Sequence, residues 1–435
     1  MVLLALHLGA DVSIYRSVFL LAAASVAWLL AVRRRIPQVV VVVAFAVLAV
    51  IAIARTPLGT DLWSYQAYGR ILAEHHDNPY VDLPSSYPDD AVMARVSDLY
   101  LDVPCAYGPV FVVIASGVAI VTGASELAGR LAWQLIGQFA VGATAVLLRR
   151  AGRSPRAVAA FLLHPLVAYQ LVHLAHNDAL VGLAILGGCL LAARGRVTPA
   201  ALMLTAAALI KAPSGIAWFV LIAWLLMNRR HRDAASATAA SAVLTAVSML
   251  PFGISTALTP MLESRGSSNA TSIWNAVRGD WVTFLWRPIR TVDATAGPWL
   301  AGVAIAVALL VALAATYTLR RRPVHEAITV GILAWLTLSL YPSVWYYAWV
   351  LPIASLWPLV PRLLIGVQIA LVQVISQAWL FPVAAGLSGD GGLGLVDRLG
   401  APLLGGGSVA GLAMIAWLAR AGPEGRPGNP AADSQ

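Results

Sequence analysis

"TDLWSYQAYGR", residues 60 to 70, places an acid directly after a run of Val, Ala, Ile and Leu. A carboxylate beside apolar surroundings has its pKa raised toward the working range of a general base. Asp61 is therefore a candidate catalytic base. The plainer alternative is that it caps the helix "LWSYQAYGRILAEHH", a position that suits Asp. A second acid closes "LVHLAHND", residues 171 to 178, with His173, His176 and Asn177 beside it. Polar groups at membrane depth are functional candidates by default. The HxxHxD spacing admits metal ligation. No further strong ligand set accompanies it, so no metal is assigned. Asp178 reads instead as a second acid that orients an acceptor or assists the base. Lys211 in "ALIKAPSG" is the only lysine of the chain. A compact ammonium suits a lipid phosphate; the alternative is a lysine that snorkels to the interface. Finally "LYPSVWYYAWVLP", residues 340 to 352, holds Trp345 and Tyr346. Such rings line a lipid groove, stack on a sugar, or simply belong to an interfacial belt.

These residues need a frame to hold them. The chain has 435 residues, is 60% hydrophobic and only 11% charged, against about 25% charged in soluble domains. Stretches of about 20 apolar residues recur from end to end. Without water in the bilayer core such stretches must be helical, so the expected fold is an all-α polytopic membrane protein. The net charge of +9 does not imply nucleic acid here; it fits arginines gathered on one side of a membrane. The first apolar segment lacks a basic leader and is followed by Arg33, Arg34 and Arg35, which favours a retained helix over a cleaved signal. Cys105 and Cys189 suggest no disulfide framework.

Charge also sets the expected topology. The apolar run at 107–123 is short and flanked by Gly-Pro and Gly. If it lies at the surface or re-enters, the arginine clusters at 33–35, 149–156, 194–196, 228–233 and 320–322 all fall on one side. If it crosses, the later clusters flip and the bias is lost. The positive-inside rule selects the first arrangement, with about thirteen spans, among them 157–172, 345–360 and 401–420. Residues 1–420 then form one membrane domain with outer loops at about 55–127 and 251–297, and 421–435 a Pro/Gly-rich disordered cytoplasmic tail. Asp61, His75, His76 and Tyr107 share the first outer loop. Arg265, Arg278, Arg287 and Arg290 of the second are further phosphate candidates.

In this order the motifs resemble the actinobacterial polyprenol-phosphate-mannose-dependent mannosyltransferases of the GT-C superfamily, in particular the α-1,6-mannosyltransferase branch, with the phosphatidylinositol-mannoside mannosyltransferases as near relatives. The resemblance rests on "DLWSYQAYG" at 61–69, which contains Tyr65, "NPY" at 78–80 and "YGP" at 107–109. It continues through "HPL" at 164–166, "HND" at 176–178, "KAP" at 211–213 and Trp345–Tyr346. His164 stands where that family usually has asparagine, and the chain is shorter than the long mannan-elongating members. The resemblance implies a GT-C-like bundle with outer juxtamembrane helices and an active site on the outer face of the plasma membrane. It implies mannose transfer from a polyprenyl monophosphate to a lipid-linked glycan or glycolipid; the expected mechanism is inverting, and because cationic side chains can stabilise a monophosphate leaving group no metal or other cofactor is called for. Asp61 would be the base, His176–Asn177–Asp178 would lie beside the acceptor and Lys211 near the donor phosphate. The absence of a glycine-rich nucleotide cradle argues against a nucleotide-sugar donor. A flippase of lipid-linked sugar is the rival reading. Transporters tend to carry repeats and midplane broken helices, and no repeat is visible in the sequence.

Overall fold

The computed structural model describes residues 14–33, 36–54, 57, 61–263, 272–274, 298–384 and 410–420. Among these residues there is no strand. Helices α1 (Ile14–Arg33) and α2 (Gln38–Ala54) are followed by α3 (Asp61–Ala73) and α4 (Pro109–Thr122). Then come α5 (Glu126–Arg150), α6 (Pro155–Leu162), a π-helical stretch Val167–His173 and α7 (Asp178–Ala193). Next are α8 (Val197–Ile210), α9 (Ile216–Met227), α10 (His231–Met249) and α11 (Ile254–Glu263). The described chain ends with α12 (Pro298–Thr318), α13 (Val324–Leu338), α14 (Val350–Ala354), α15 (Leu359–Ala384) and α16 (Ala410–Arg420).

Local sequence explains several of these boundaries. Ser125 and Ser154 cap α5 and α6 by accepting from the Ala128 and Ala157 amides. Pro155 and Pro109 occupy first-turn positions of α6 and α4, where a missing N–H costs nothing. Helix α8 stops at Lys211, which is extended at φ −145° and ψ 104°. Pro213, two residues on, lacks the N–H that would continue the α-helical ladder to the Leu209 carbonyl, and the chain goes on as a 3-10 turn, Ala212–Gly215.

Against an expectation of about thirteen spans, the described helices vary widely in length. Among the described residues, Glu126–Arg150, His231–Phe252 and Trp299–Thr318 are long and apolar enough to cross a bilayer; α1 and α15 run 20 and 26 residues, and the remaining apolar helices are shorter, apart from one broken pair. That pair is the expected span at 157–172, whose halves Pro155–Leu162 and Val167–His173 bend by 64°. Pro165 lacks an amide proton and crowds the preceding turn. His164 bridges the break: its Nδ1 accepts from the Leu166 amide at 3.2 Å, and its Nε2 lies 3.0 Å from the Gly366 carbonyl on α15. The expected span at 345–360 is likewise not one helix. It is a 3-10 stretch, Val344–Trp349, followed by the short α14. Pro352 and Pro358 interrupt its hydrogen-bond ladder, and burial in protein makes irregular backbone tolerable at membrane depth. Of the span expected at 401–420, residues 401–409 lie outside the described residues, as does the tail at 421–435.

The apolar run after Tyr107 forms α4, whose 14 residues extend about 21 Å. That is short of the ~30 Å hydrocarbon core. One face packs on α3; on the other, Val113, Ile120 and Val121 are exposed. Gly69 makes the contact possible, since a Cβ there would lie 2.3 Å from the Ala115 carbonyl oxygen. Gly69→Ala is therefore expected to lower the apparent melting temperature of the purified protein, at a cost of about 1–3 kcal/mol for overpacking. Gly117→Ala on the same helix meets nothing within 4 Å. It should be neutral or stabilising, because glycine is a poor helix former. Equal melting temperatures for the two variants would contradict this packing.

Candidate active site

Four separate stretches of the chain converge near the start of α3. Asp61 is the first residue of that helix and is half-buried. Its Oδ2 lies 3.4 Å from His176 Nδ1, an ion-pair distance longer than a well-formed hydrogen bond. His176 is presented by the turn between the π-helical stretch and α7, where Ala175 adopts φ +57°. A left-handed alanine is strained and persists only when its surroundings dictate it. The His176 ring stacks on Trp345 with centroids 4.5 Å apart and planes 9° from parallel. Burial pushes the Asp61 carboxyl upward, but His176, by contact and charge, and Lys211, by charge, outweigh it and hold the carboxyl below its ordinary value. This reverses the expectation of a raised pKa. The apolar surroundings are present, and so are His176 and Lys211, two partners that the linear sequence keeps more than a hundred residues away.

The floor of the site is a buried ion pair. Lys211 Nζ donates to Asp178 Oδ2 at 2.7 Å and to Asn177 Oδ1 at 3.2 Å. Lys211 is buried, so it does not snorkel to the interface. Its ammonium also sits over the Tyr346 ring at 4.7 Å and the Tyr107 ring at 5.5 Å, within cation–π range. Asp178, wholly buried, opens α7, where the helix dipole favours negative charge. Its other oxygen accepts from the Trp349 indole at 2.7 Å. Asn177 Nδ2 is buried with no hydrogen-bond partner among the described residues. It is a donor beside the ammonium and available to an oxygen-rich ligand.

The walls are aromatic. Tyr65, one turn along α3 from Asp61, packs edge-on against Tyr107 and Phe111, with centroids 5.4 and 5.1 Å away. The "YGP" turn reaches this place because the Gly108 amide donates to the Ile210 carbonyl at 3.2 Å, next to Lys211. Any side chain at position 108 would strike the Leu209 carbonyl. Half-buried Tyr107, Trp345 and Tyr346 thus stand above buried His176, Asn177, Asp178 and Lys211. Two participants escape a reading of the sequence. Trp349 is hidden in an aromatic-rich segment that any membrane belt would supply. Tyr100, on the single turn Asp98–Leu101, has its hydroxyl raised by the Asp61 charge and by burial.

Three expected histidines lie elsewhere. His75 follows the far end of α3, where its Nε2 lies 3.0 Å from Asp90 Oδ2 and its ring stacks on Tyr87 at 4.0 Å. Arg70 completes that cluster at 2.8 Å from the same carboxylate. His76, exposed and at φ +59°, lines a separate groove of about 600 Å³ with Leu72, Val113 and Phe252. His173 Nδ1 faces the Ala52 carbonyl at 3.4 Å rather than Asp178. Arg265, Arg278, Arg287 and Arg290 lie outside the described residues.

Comparison with known proteins meets this site directly. Residues 2–228, which carry Asp61, Tyr107, His176, Asp178 and Lys211, match the family model described as "Alpha-(1->6)-mannopyranosyltransferase, N-terminal domain". The chain is 28% identical over 316 residues to alpha-(1->6)-mannopyranosyltransferase A of Mycobacterium tuberculosis, covering 68% of this chain and 60% of that protein. It is 26% identical over 339 residues to alpha-(1->6)-mannopyranosyltransferase B of Corynebacterium glutamicum, covering 69% of this chain and 56% of that protein. In both cases the chain spans less than two thirds of its relative. With the family model matching more than half of its residues, the chain belongs to the alpha-(1->6)-mannopyranosyltransferase family.

Proposed function

We propose that the protein is a membrane mannosyltransferase that takes mannose from a polyprenyl monophosphate and passes it to a lipid-linked glycan or glycolipid on the outer face of the plasma membrane. The observation that carries this reading is the meeting of an ionised Asp61 and a buried Lys211 in one aromatic-walled site. A carboxylate held low is ionised at neutral pH and ready to accept a proton as the new bond forms. The acceptor hydroxyl attacks the anomeric carbon from the Asp61 side and gives its proton to the carboxylate. The bond from that carbon to the phosphate oxygen breaks, and its electron pair leaves with the polyprenyl phosphate. Lys211 and the unpartnered Asn177 amide stabilise the charge that develops there. Attack opposite the leaving group inverts the anomeric configuration. Trp345 and Tyr346 supply ring faces for the sugar or the lipid.

Asp61→Asn keeps the size of the side chain and removes its ability to take a proton. Mannose transfer by the purified protein should fall about 100-fold or more, the ordinary contribution of a general base, while folding persists. Near wild-type turnover at saturating donor would end the assignment of Asp61 as the base.

Lys211→Met should weaken donor use more than acceptor use. A hydrogen bond to a charged group contributes about 1.5–3 kcal/mol, so the apparent donor affinity should drop by roughly one to two decades. Removing one member of a buried pair also strains the fold. The double variant Asp178→Asn/Lys211→Met removes both charges and serves as the folding control. Unchanged donor kinetics in folded Lys211→Met would return the lysine to a structural role.

The outer-face orientation has its own test. Cysteines placed at Arg153 and Arg230 should be shielded from an impermeant thiol reagent on intact cells, and one at Asp89 should be labelled. Both native cysteines are buried and give little background. Labelling at 153 with none at 89 would invert the topology.

A further inference from the structure

We propose that Trp349 is the positioning residue that sets the phosphate-binding geometry of Lys211, acting through Asp178 and Tyr346. The inference rests on the reading of Lys211 as the contact for the donor phosphate. Trp349 is fully buried, and its side chain engages both supports of the ammonium. Its indole N–H donates to Asp178 Oδ1 at 2.7 Å, while the other oxygen of that carboxylate receives Lys211 Nζ at 2.7 Å. Its ring also stacks on Tyr346, with centroids 4.7 Å apart and planes 15° from parallel. Lys211 Nζ sits over that same tyrosine ring at 4.7 Å.

The consequence is geometric. A carboxylate that faces a lysine alone can turn about its Cβ–Cγ bond and draw the flexible ammonium with it. A carboxylate with one oxygen fixed by an indole offers the second oxygen in a single direction. The lysine stem has four rotatable carbons, so the place of its charge is set by what receives it. Trp349 therefore fixes where the cation stands relative to Asp61. It touches neither reacting atom. The surrounding backbone favours such a device: Val344–Trp349 is 3-10 rather than α-helical. Gly182 on α7 lets that segment approach closely, since a Cβ there would lie 2.7 Å from the Ala348 carbonyl oxygen.

The test compares donor KM with kcat in the purified full-length protein, using polyprenyl-phosphate-linked mannose as donor and an alkyl α-(1→6)-mannobioside as acceptor. Trp349→Phe should raise the donor KM roughly tenfold or more, the effect of a lost hydrogen bond to a charged group, with a much smaller change in acceptor KM. In an Asp178→Asn background the same substitution should add less than about twofold, because residues that act through one contact are not additive. Trp357→Phe is the control. That indole is also buried and donates to Thr329 Oγ1 at 3.0 Å, and its loss should lower the melting temperature and leave the donor KM unchanged. Should Trp349→Phe fail to fold, benzothienylalanine at position 349 keeps the bicyclic ring and lacks only the N–H; the same rise in donor KM is expected. An unchanged donor KM in either folded variant, or an equal effect with and without Asp178, overturns the proposal while Lys211→Met still raises donor KM. A Lys211→Met protein with unchanged donor KM removes the reading beneath it.

Discussion

The contact between Lys211 and Asp178 organises this molecule. The only lysine of the chain is buried and meets a carboxylate with no solvent exposure. Taking both charges out of water costs several kcal/mol per ion, and the mutual attraction repays it only when the remaining polar atoms are satisfied. The fold answers that requirement with the Trp349 indole, the Asn177 carbonyl and the Tyr346 ring. Each comes from an irregular stretch or from the end of a helix. The breaks in the helices are thus part of the site. Where α8 ends at Lys211, where α7 begins at Asp178 and where the chain runs 3-10 through Val344–Trp349, backbone regularity gives way to the placement of side chains.

A second consequence concerns Asp61. A lone acid among apolar residues would hold its proton at neutral pH. Here His176 and Lys211 hold the carboxyl below its ordinary value, so in the proposed reaction the lysine that would meet the phosphate also keeps Asp61 in the form that would accept a proton. Asp61 and Lys211 are electrostatically coupled, so a change at one is felt at the other. Tyr65, Tyr107 and Phe111 pack against one another beside these charges, and apolar rings in place of water strengthen electrostatic interactions.

Much of this was legible in the sequence, and the reasons differ by residue. Asp61, His176, Asn177, Lys211 and the pair Trp345–Tyr346 stood out because polar or aromatic groups at membrane boundaries are costly or specialised. The all-helical architecture followed from backbone hydrogen bonding in hydrocarbon. The pairing of Lys211 with Asp178 was not legible, because it joins helices 33 residues apart in sequence. The Trp349 contact joins positions 171 residues apart. His75 and His76 drew attention by type and by proximity to Asp61 in sequence. Helical geometry separates them: a 13-residue helix carries them to the opposite end of α3, where Asp90 holds His75. The breaks inside the expected spans at 157–172 and 345–360 were less legible for a related reason. Hydropathy averages over a window and cannot register that His164–Pro165 or Pro352 interrupts the ladder within it.

The proposed reaction requires that one site bring Asp61 as base and Lys211 as phosphate contact to opposite sides of a single sugar. The most direct measurement is a structure of the protein with a non-transferable polyprenyl-phosphonate analogue of the mannose donor. The expected result has the phosphonate oxygens within hydrogen-bond distance of Lys211 Nζ and Asn177 Nδ2, with the anomeric carbon turned toward Asp61. Density for the phosphonate away from Lys211, or a sugar ring that leaves Asp61 on the same side as the leaving group, would contradict the account.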